Sequence, residues 1–184
     1  MSQMTESTAR LDLTALNAFV DAATQTIAKH SLTFVLAPDQ LLANNSVVPS
    51  LNWQAVPFAD DGALIRIPDN KRGVYAFAIR RGTDVLPPHG YILYIGIAGR
   101  RSQRSLRDRY KDYLSASHLI RRSRIARMIA TWHEVLTFYF APVEAAVTST
   151  QLETLERELN SALIPPFSEG DLEADLKQKR RAFR

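Results

Sequence analysis

GVYAFAI (73–79) and YILYIGIA (91–98) are the two segments on which the reading of this chain turns. In the first, Tyr75, Phe77 and Ile79 alternate with Val74, Ala76 and Ala78, the period-two pattern of a strand with two unlike faces. The second is equally rich in β-branched and aromatic residues. RRGTDVLPPHG (80–90), with two glycines and two prolines, joins them, so the pair predicts a β-hairpin with a long irregular tip.

Outward from the hairpin the period changes. SLRDRYKDYLSA (105–116) predicts a helix capped by Ser105, with Leu106, Tyr110, Tyr113 and Leu114 facing inward. A second helix is expected over roughly 119–131, its apolar positions being Leu119, Ile120, Ile125, Met128 and Ile129. VLTFYFAPV (135–143) reads as a third strand, and STQLETLERELNSAL (149–163) as a helix stopped by Pro165-Pro166. DLEADLKQKRRAFR (171–184) predicts a C-terminal helix with a basic end. Towards the N-terminus, residues 11–29 place Leu13, Leu16, Phe19, Val20, Ala23 and Ile27 at helical spacing. LTFVLA (32–37) reads as a strand or extended segment and GALIRIP (62–68) as another short strand, on either side of a loop-rich stretch punctuated by Asn44, Asn45, Pro49, Ser50 and Pro57. The expected architecture is α+β: a small central antiparallel three-stranded sheet flanked by helices over residues 71–184, with an acidic N-terminal α/β accessory layer over 1–70.

Composition narrows the chemistry. The 184 residues are 46% hydrophobic and 23% charged, an ordinary globular balance. Without cysteine, disulfides, thiolate metal sites and thiol nucleophiles are excluded. His30, His89, His118 and His133 fall at no metal-ligand spacing. No apolar run approaches a membrane span and the first residues do not read as a signal peptide, so a cytoplasmic protein without a membrane partner is expected.

The net charge of +4 hides a strong asymmetry. Residues 1–70 carry three basic and seven acidic side chains. Residues 100–127 carry ten cations (Arg100, Arg101, Arg104, Arg107, Arg109, Lys111, Arg121, Arg122, Arg124 and Arg127) against only Asp108 and Asp112. Nine of these ten are arginines, whose planar fork matches phosphate oxygens, and the segment lacks the balancing acids of a solvated helix face. It reads as the footprint of a polyanion.

Gly73-Val74-Tyr75 followed by Tyr94-Ile95-Gly96 resembles the paired signature of the GIY-YIG nucleases. SLRDRYKDYL (105–114) is similar to that family's first helix, where the matching pattern assigns the active-site arginine to Arg109. LETLERELNSALIPPFS (152–168) is similar to its later helix, where a glutamate precedes a proline-aromatic-polar ending, and this assigns Glu156 as the metal ligand. The resemblance covers roughly residues 71–168 and implies a DNA endonuclease. It implies Mg²⁺ or Mn²⁺ as cofactor, no small-molecule cofactor, and Tyr75 as general base with Tyr94 beside it. The polar position after the proline-aromatic pair, frequently asparagine in the family, is Ser168, and the hairpin tip is longer than usual there.

The residues themselves bear on these assignments. On a helical wheel for 149–163, Glu156 falls at the border of the stripe formed by Leu152, Leu155, Leu159, Ala162 and Leu163, while Glu153 and Glu158 point away. A carboxylate there resists solvation and requires compensation. Periodicity does not separate Arg107 from Arg109; only the motif does. Tyr94 reads equally as an active-site phenol and as cross-strand packing. Arg100, Arg101, Arg104, Arg107, Lys111, Arg121, Arg122 and Arg124 are expected to contact nucleic-acid phosphates without reading sequence. Gly96 is expected to permit a close approach of backbone or substrate. His118 is read as a surface histidine or a proton carrier, and Trp53 as packing or a stacking platform.

Three functions follow: a metal-dependent DNA endonuclease, a catalytically weak nucleic-acid-binding module acting with a partner, and a chain whose acidic N-terminal layer docks a protein. Cutting both strands of a duplex with one site per chain would call for a homodimer.

Overall fold

In a computed structural model, which describes residues 13–35, 39, 51–81, 89–100, 104–168 and 178, the hairpin forms as its alternation requires. Strands β1 (Gln54–Pro57), β2 (Gly73–Arg81), β3 (His89–Ala98) and β4 (Leu136–Pro142) make one antiparallel sheet in the order β1-β4-β2-β3. The helices are α1 (Leu13–His30), α2 (Ala63–Arg66), α3 (Leu106–Leu114), α4 (Ala116–Ile120), α5 (Ser123–Trp132) and α6 (Ser149–Leu163). The chain divides into two compact units, residues 1–32 and 33–184. Within the first, α1 follows its predicted span closely and carries Lys29, a cation suited to a helix C-terminus, in its last turn. Its Leu16, Phe19, Val20 and Ile27 are exposed. None of the described helices is long and apolar enough to cross a membrane.

Register gives the second unit two unlike faces. Tyr75 pairs with Phe140 on β4 and Gly96 on β3, and Phe77 pairs with Phe138 and Tyr94, so these side chains share a face. Tyr110 and Tyr113 of α3 pack there, with the rings of Phe77 and Tyr113 at 4.8 Å and those of Tyr110 and Phe138 at 4.9 Å. The opposite face is aliphatic: Val74, Ala76, Ile95 and Ile97 form a core with Val143 and with Leu152 and Leu155 of α6. A fully buried side chain of this size contributes about 1.5–3 kcal/mol, so both layers are substantial.

Three expectations change. The sheet has four strands rather than three, because β1, inside the stretch expected to be accessory, pairs with β4 from Gln54↔Phe140 to Pro57↔Thr137. With Val56 its only buried residue and a proline at its end, this strand carries no alternation to read. GALIRIP contains helix α2, not a strand: Ala63 and Ile67, four apart, are buried, while Ile65 is 83% exposed. The helix expected over 119–131 is two helices, interrupted where Arg122 takes φ −129° and ψ 65°. Residues 31–35 form no regular strand. The remainder of the 32–37 segment, the hairpin tip and the basic C-terminal helix lie outside the described residues, apart from Gln178.

α6 matches its predicted bounds. Thr148 and Gln151 form a capping box at its start, and Ile164 (φ 41°, ψ 56°) closes it in the left-handed region. A β-branched residue adopts that conformation at a cost of about 1–3 kcal/mol. The turn sends Pro165-Pro166-Phe167-Ser168 back to the outer edge of β3, where Phe167 N donates to Leu93 O (2.9 Å) and Ile95 N to Ser168 Oγ (3.0 Å). Ser168 thus caps an otherwise open strand edge.

Candidate functional site

A cleft of about 610 Å³ opens beside the outer edge of β3, lined by Tyr94, Ile97, Gly99, Arg100, Arg104, Arg109, Arg121, Arg122, Ser123, Arg124, Ile125, Glu156 and Phe167. Six arginines face one carboxylate. They come from both faces of the sheet: Arg109 from α3, the cluster at Arg121–Arg124 from the α4–α5 junction, and Glu156 from α6. Most of the arginines assigned from the sequence to phosphate contact therefore converge in one place. Arg101 lies outside the described residues.

Two cations do not join them. Arg107 is spent on structure: its Nε donates to Ile67 O (2.7 Å), its Nη1 pairs with Asp69 (3.0 Å), and its Nη2 reaches Ile65 O (3.4 Å). Arg109 lines the cleft, whereas Arg107 holds α2 against α3. Lys111 is exposed, 3.9 Å from Asp108 on its own helix, and lines no part of the cleft.

Arg109 is mostly buried, and its Nε has no hydrogen-bond partner. The neighbouring Tyr75 phenol raises its pKa against the cost of burial, so it stays cationic throughout the accessible range. Arg122 likewise loses hydration, yet the phenols of Tyr113 and Tyr94 beside it hold its pKa above the usual value. Its Nη2 donates to Tyr94 Oη (3.2 Å), and its guanidinium lies over the Tyr113 ring at 5.2 Å.

The two signature tyrosines are placed differently. Tyr94 lines the cleft. Tyr75 is fully buried behind it, its hydroxyl 2.7 Å from Tyr113 Oη. Burial pushes the Tyr75 phenol well above its ordinary pKa, and the Tyr113 and Tyr94 phenols push it further, with Arg109 opposing. The phenol is neutral at neutral pH. Gly96 explains how it fits: a Cβ there would stand 2.5 Å from Tyr75 Oη and 3.0 Å from Tyr94 Oη. The close approach expected at Gly96 is thus made by the two phenols.

Glu156 is 8% exposed, at the border the helical wheel indicates. Two further residues escaped the sequence reading. Tyr113, one helical turn beyond Arg109, reads as an ordinary inward aromatic but bonds the Tyr75 phenol. Asp112, buried on α3, pairs with Arg104 (2.7 Å), Arg109 (3.4 Å) and His118 (3.4 Å). Its only signal was its rarity, as one of two acids among ten cations. His118 is accordingly an exposed partner of Asp112, and Trp132 packs on Phe167 at 5.8 Å. No family model matches this chain, and no curated protein or solved structure matches it either.

Proposed function

We propose that the protein is an endonuclease that hydrolyses DNA phosphodiesters with a divalent cation, Mg²⁺ or Mn²⁺, held by Glu156. The observation that carries this reading is the single cleft shared by Arg109, Tyr94, Glu156 and a wall of arginines drawn from separate elements. The GIY-YIG resemblance supports it. The extra strand β1 is compatible, since it lies at the opposite edge of the sheet from β3.

Glu156 offers hard oxygen donors at the border of the cleft, which suits such a cation. Among the described residues no three His, Asp or Glu side chains cluster, so phosphate and water oxygens would complete its shell. A cation bound there supplies Lewis-acid polarisation of the phosphoryl group and a more acidic attacking water. The chain's own side chains do the rest. Arg109 donates to the non-bridging oxygens of the scissile phosphate and stabilises the charge that grows there. Arg122 adds a second cation over the same oxygens. Tyr94, on the cleft wall with its oxygen accepting from Arg122 Nη2 (3.2 Å), takes the proton of the attacking water as its phenolate and becomes the phenol. Tyr75, neutral and bonded to Tyr113, holds Tyr94 and Arg109 in position from below.

Supercoiled plasmid incubated with Mg²⁺ or Mn²⁺ tests this. The wild type nicks it; Glu156→Ala and Arg109→Ala slow nicking by about 10²–10³-fold, as loss of a charge-stabilising group does. Tyr94→Phe is expected to cost more activity than Tyr75→Phe, and the reverse order would return the base to Tyr75. Plasmid that stays intact with either cation, yet is bound in a salt-sensitive way, would replace this reading with the binding module.

A further inference from the structure

A second cleft of about 660 Å³ lies where β2 begins and β3 and β4 end, lined among others by Asn70, Lys71, Arg72, Arg100, Ser105 and Ser149. Gly99 and Arg100 line both clefts, so the two adjoin across a shared ridge. Gly99 has φ +90°, and a Cβ on it would stand 2.3 Å from Arg72 Cδ. The stem of Arg72 occupies the space beneath the glycine, while its guanidinium is fixed by Val147 O and by Ser149 Oγ (3.2 Å). Three cations and the neutral donors Asn70, Ser105 and Ser149 line this space with one acid, Glu144, and Arg100 also pairs with Glu153 (3.0 Å).

We propose that the second cleft binds the sugar–phosphate backbone of the same nucleic-acid strand as it continues past the first, with Lys71, Arg72 and Arg100 contacting its phosphates. The proposal rests on the nucleic-acid reading of the first cleft and extends it. Fixed cations and small hydroxyl and amide donors on one side of a groove hold phosphates in register without reading bases. A continuous track also means that the chain grips its substrate beyond the scissile bond, so affinity depends on substrate length. Lys71 and Arg72 lie outside the arginine-rich stretch, and Arg100, at its start, turns the strand from one cleft into the other.

Lys71 is the residue to change, because its side chain is exposed and only its backbone carbonyl has a structural task, accepting from Leu106 N (2.9 Å). Fluorescence anisotropy of the full chain in EDTA, with a labelled duplex of about thirty base pairs and a labelled oligonucleotide of about four nucleotides, separates the clefts. Lys71→Ala should weaken duplex binding about 5–10-fold and lower the slope of log Kd against log salt by about one, leaving the short oligonucleotide unaffected. Lys111→Ala, which removes the same charge from outside both clefts, should change neither. Unchanged duplex binding by Lys71→Ala, an equal loss on both probes, or an equal loss for Lys111→Ala would overturn the proposal. Because no cleavage is read, failure of the nuclease reading in the plasmid assay remains a separate result.

Discussion

The two faces of the sheet are built from the same strands and do different work. The aliphatic face packs Val74, Ala76, Ile95 and Ile97 against Leu152 and Leu155 of α6. On the other face the same alternation sets out Tyr75, Phe77, Tyr94, Phe138 and Phe140 under the phenols of α3. There each tyrosine packs as a ring and also carries a hydroxyl that needs a partner. The cleft forms where the two layers meet, past β3, with Ile97 from the first and Tyr94 from the second. A layer that only packs fixes the position of Glu156; a layer with polar tips orients the groups that surround it.

The largest expected effect separates these tasks. Leu152→Ala, at a fully buried position, should lower stability by about 2–5 kcal/mol in a denaturant titration. Plasmid nicking per folded molecule should be preserved. Arg109→Ala should do the opposite, with a rate loss of about 10²–10³-fold and a midpoint shifted far less. Equal losses of activity per folded molecule in the two variants would mean that the faces are not functionally distinct.

Gly96 is the point where the polar face has no slack. Gly96→Ala should cost roughly 1–3 kcal/mol, since its Cβ would stand 2.7 Å from Tyr75 Cζ as well as against the hydroxyl. In a Tyr75→Phe background, which removes the nearer atom, the same substitution should cost less. Additive losses in the double-mutant cycle would show that the phenol is not what Gly96 accommodates.

How far the site was legible follows from the range of the interactions involved. The hairpin, α3 and α6 announce themselves because their apolar residues recur locally, and Glu156 could be placed at its border from the wheel alone. The four residues of β1 have one inward side chain, which no periodicity can reveal. In GALIRIP the apolar letters alternate, but the pair that is buried, Ala63 and Ile67, has helical spacing. Arg107 and Arg109 differ only because carbonyls of Ile65 and Ile67, some forty residues earlier in the chain, capture one of them. Likewise, the outward placement of Tyr94 relative to Tyr75 depends on β3 being the edge strand, a property of the assembled sheet.

Asp112 links the basic stretch to the polar face. Asp112→Asn should cost about 1 kcal/mol of stability while leaving Arg104 and Arg109 less constrained, because charged hydrogen bonds are replaced by neutral ones. A positioning role for Arg109 predicts that kcat for nicking falls about tenfold with KM little changed. A rise in KM alone would place the contribution of Asp112 in binding instead.

The smallest effect is a pH dependence at the start of α3. Asp108 accepts from Ser105 N (3.1 Å) and Ser105 Oγ (3.0 Å), closing a capping box, and these hydrogen bonds hold its carboxyl below the usual range. The folded form therefore binds the proton less readily than the unfolded chain, so the contribution of Asp108 is complete above its unfolded pKa of about 4. It is lost as the pH falls through the lower, folded value. Asp108→Asn should lower stability at neutral pH by less than about 1 kcal/mol, in the range of a surface cap. It should also flatten the acid limb of the stability curve, which denaturant midpoints between pH 2 and pH 6 would record. A steeper limb in the variant would contradict the lowered pKa that the Ser105 hydrogen bonds, with Lys111 and Arg104 nearby, give the carboxyl.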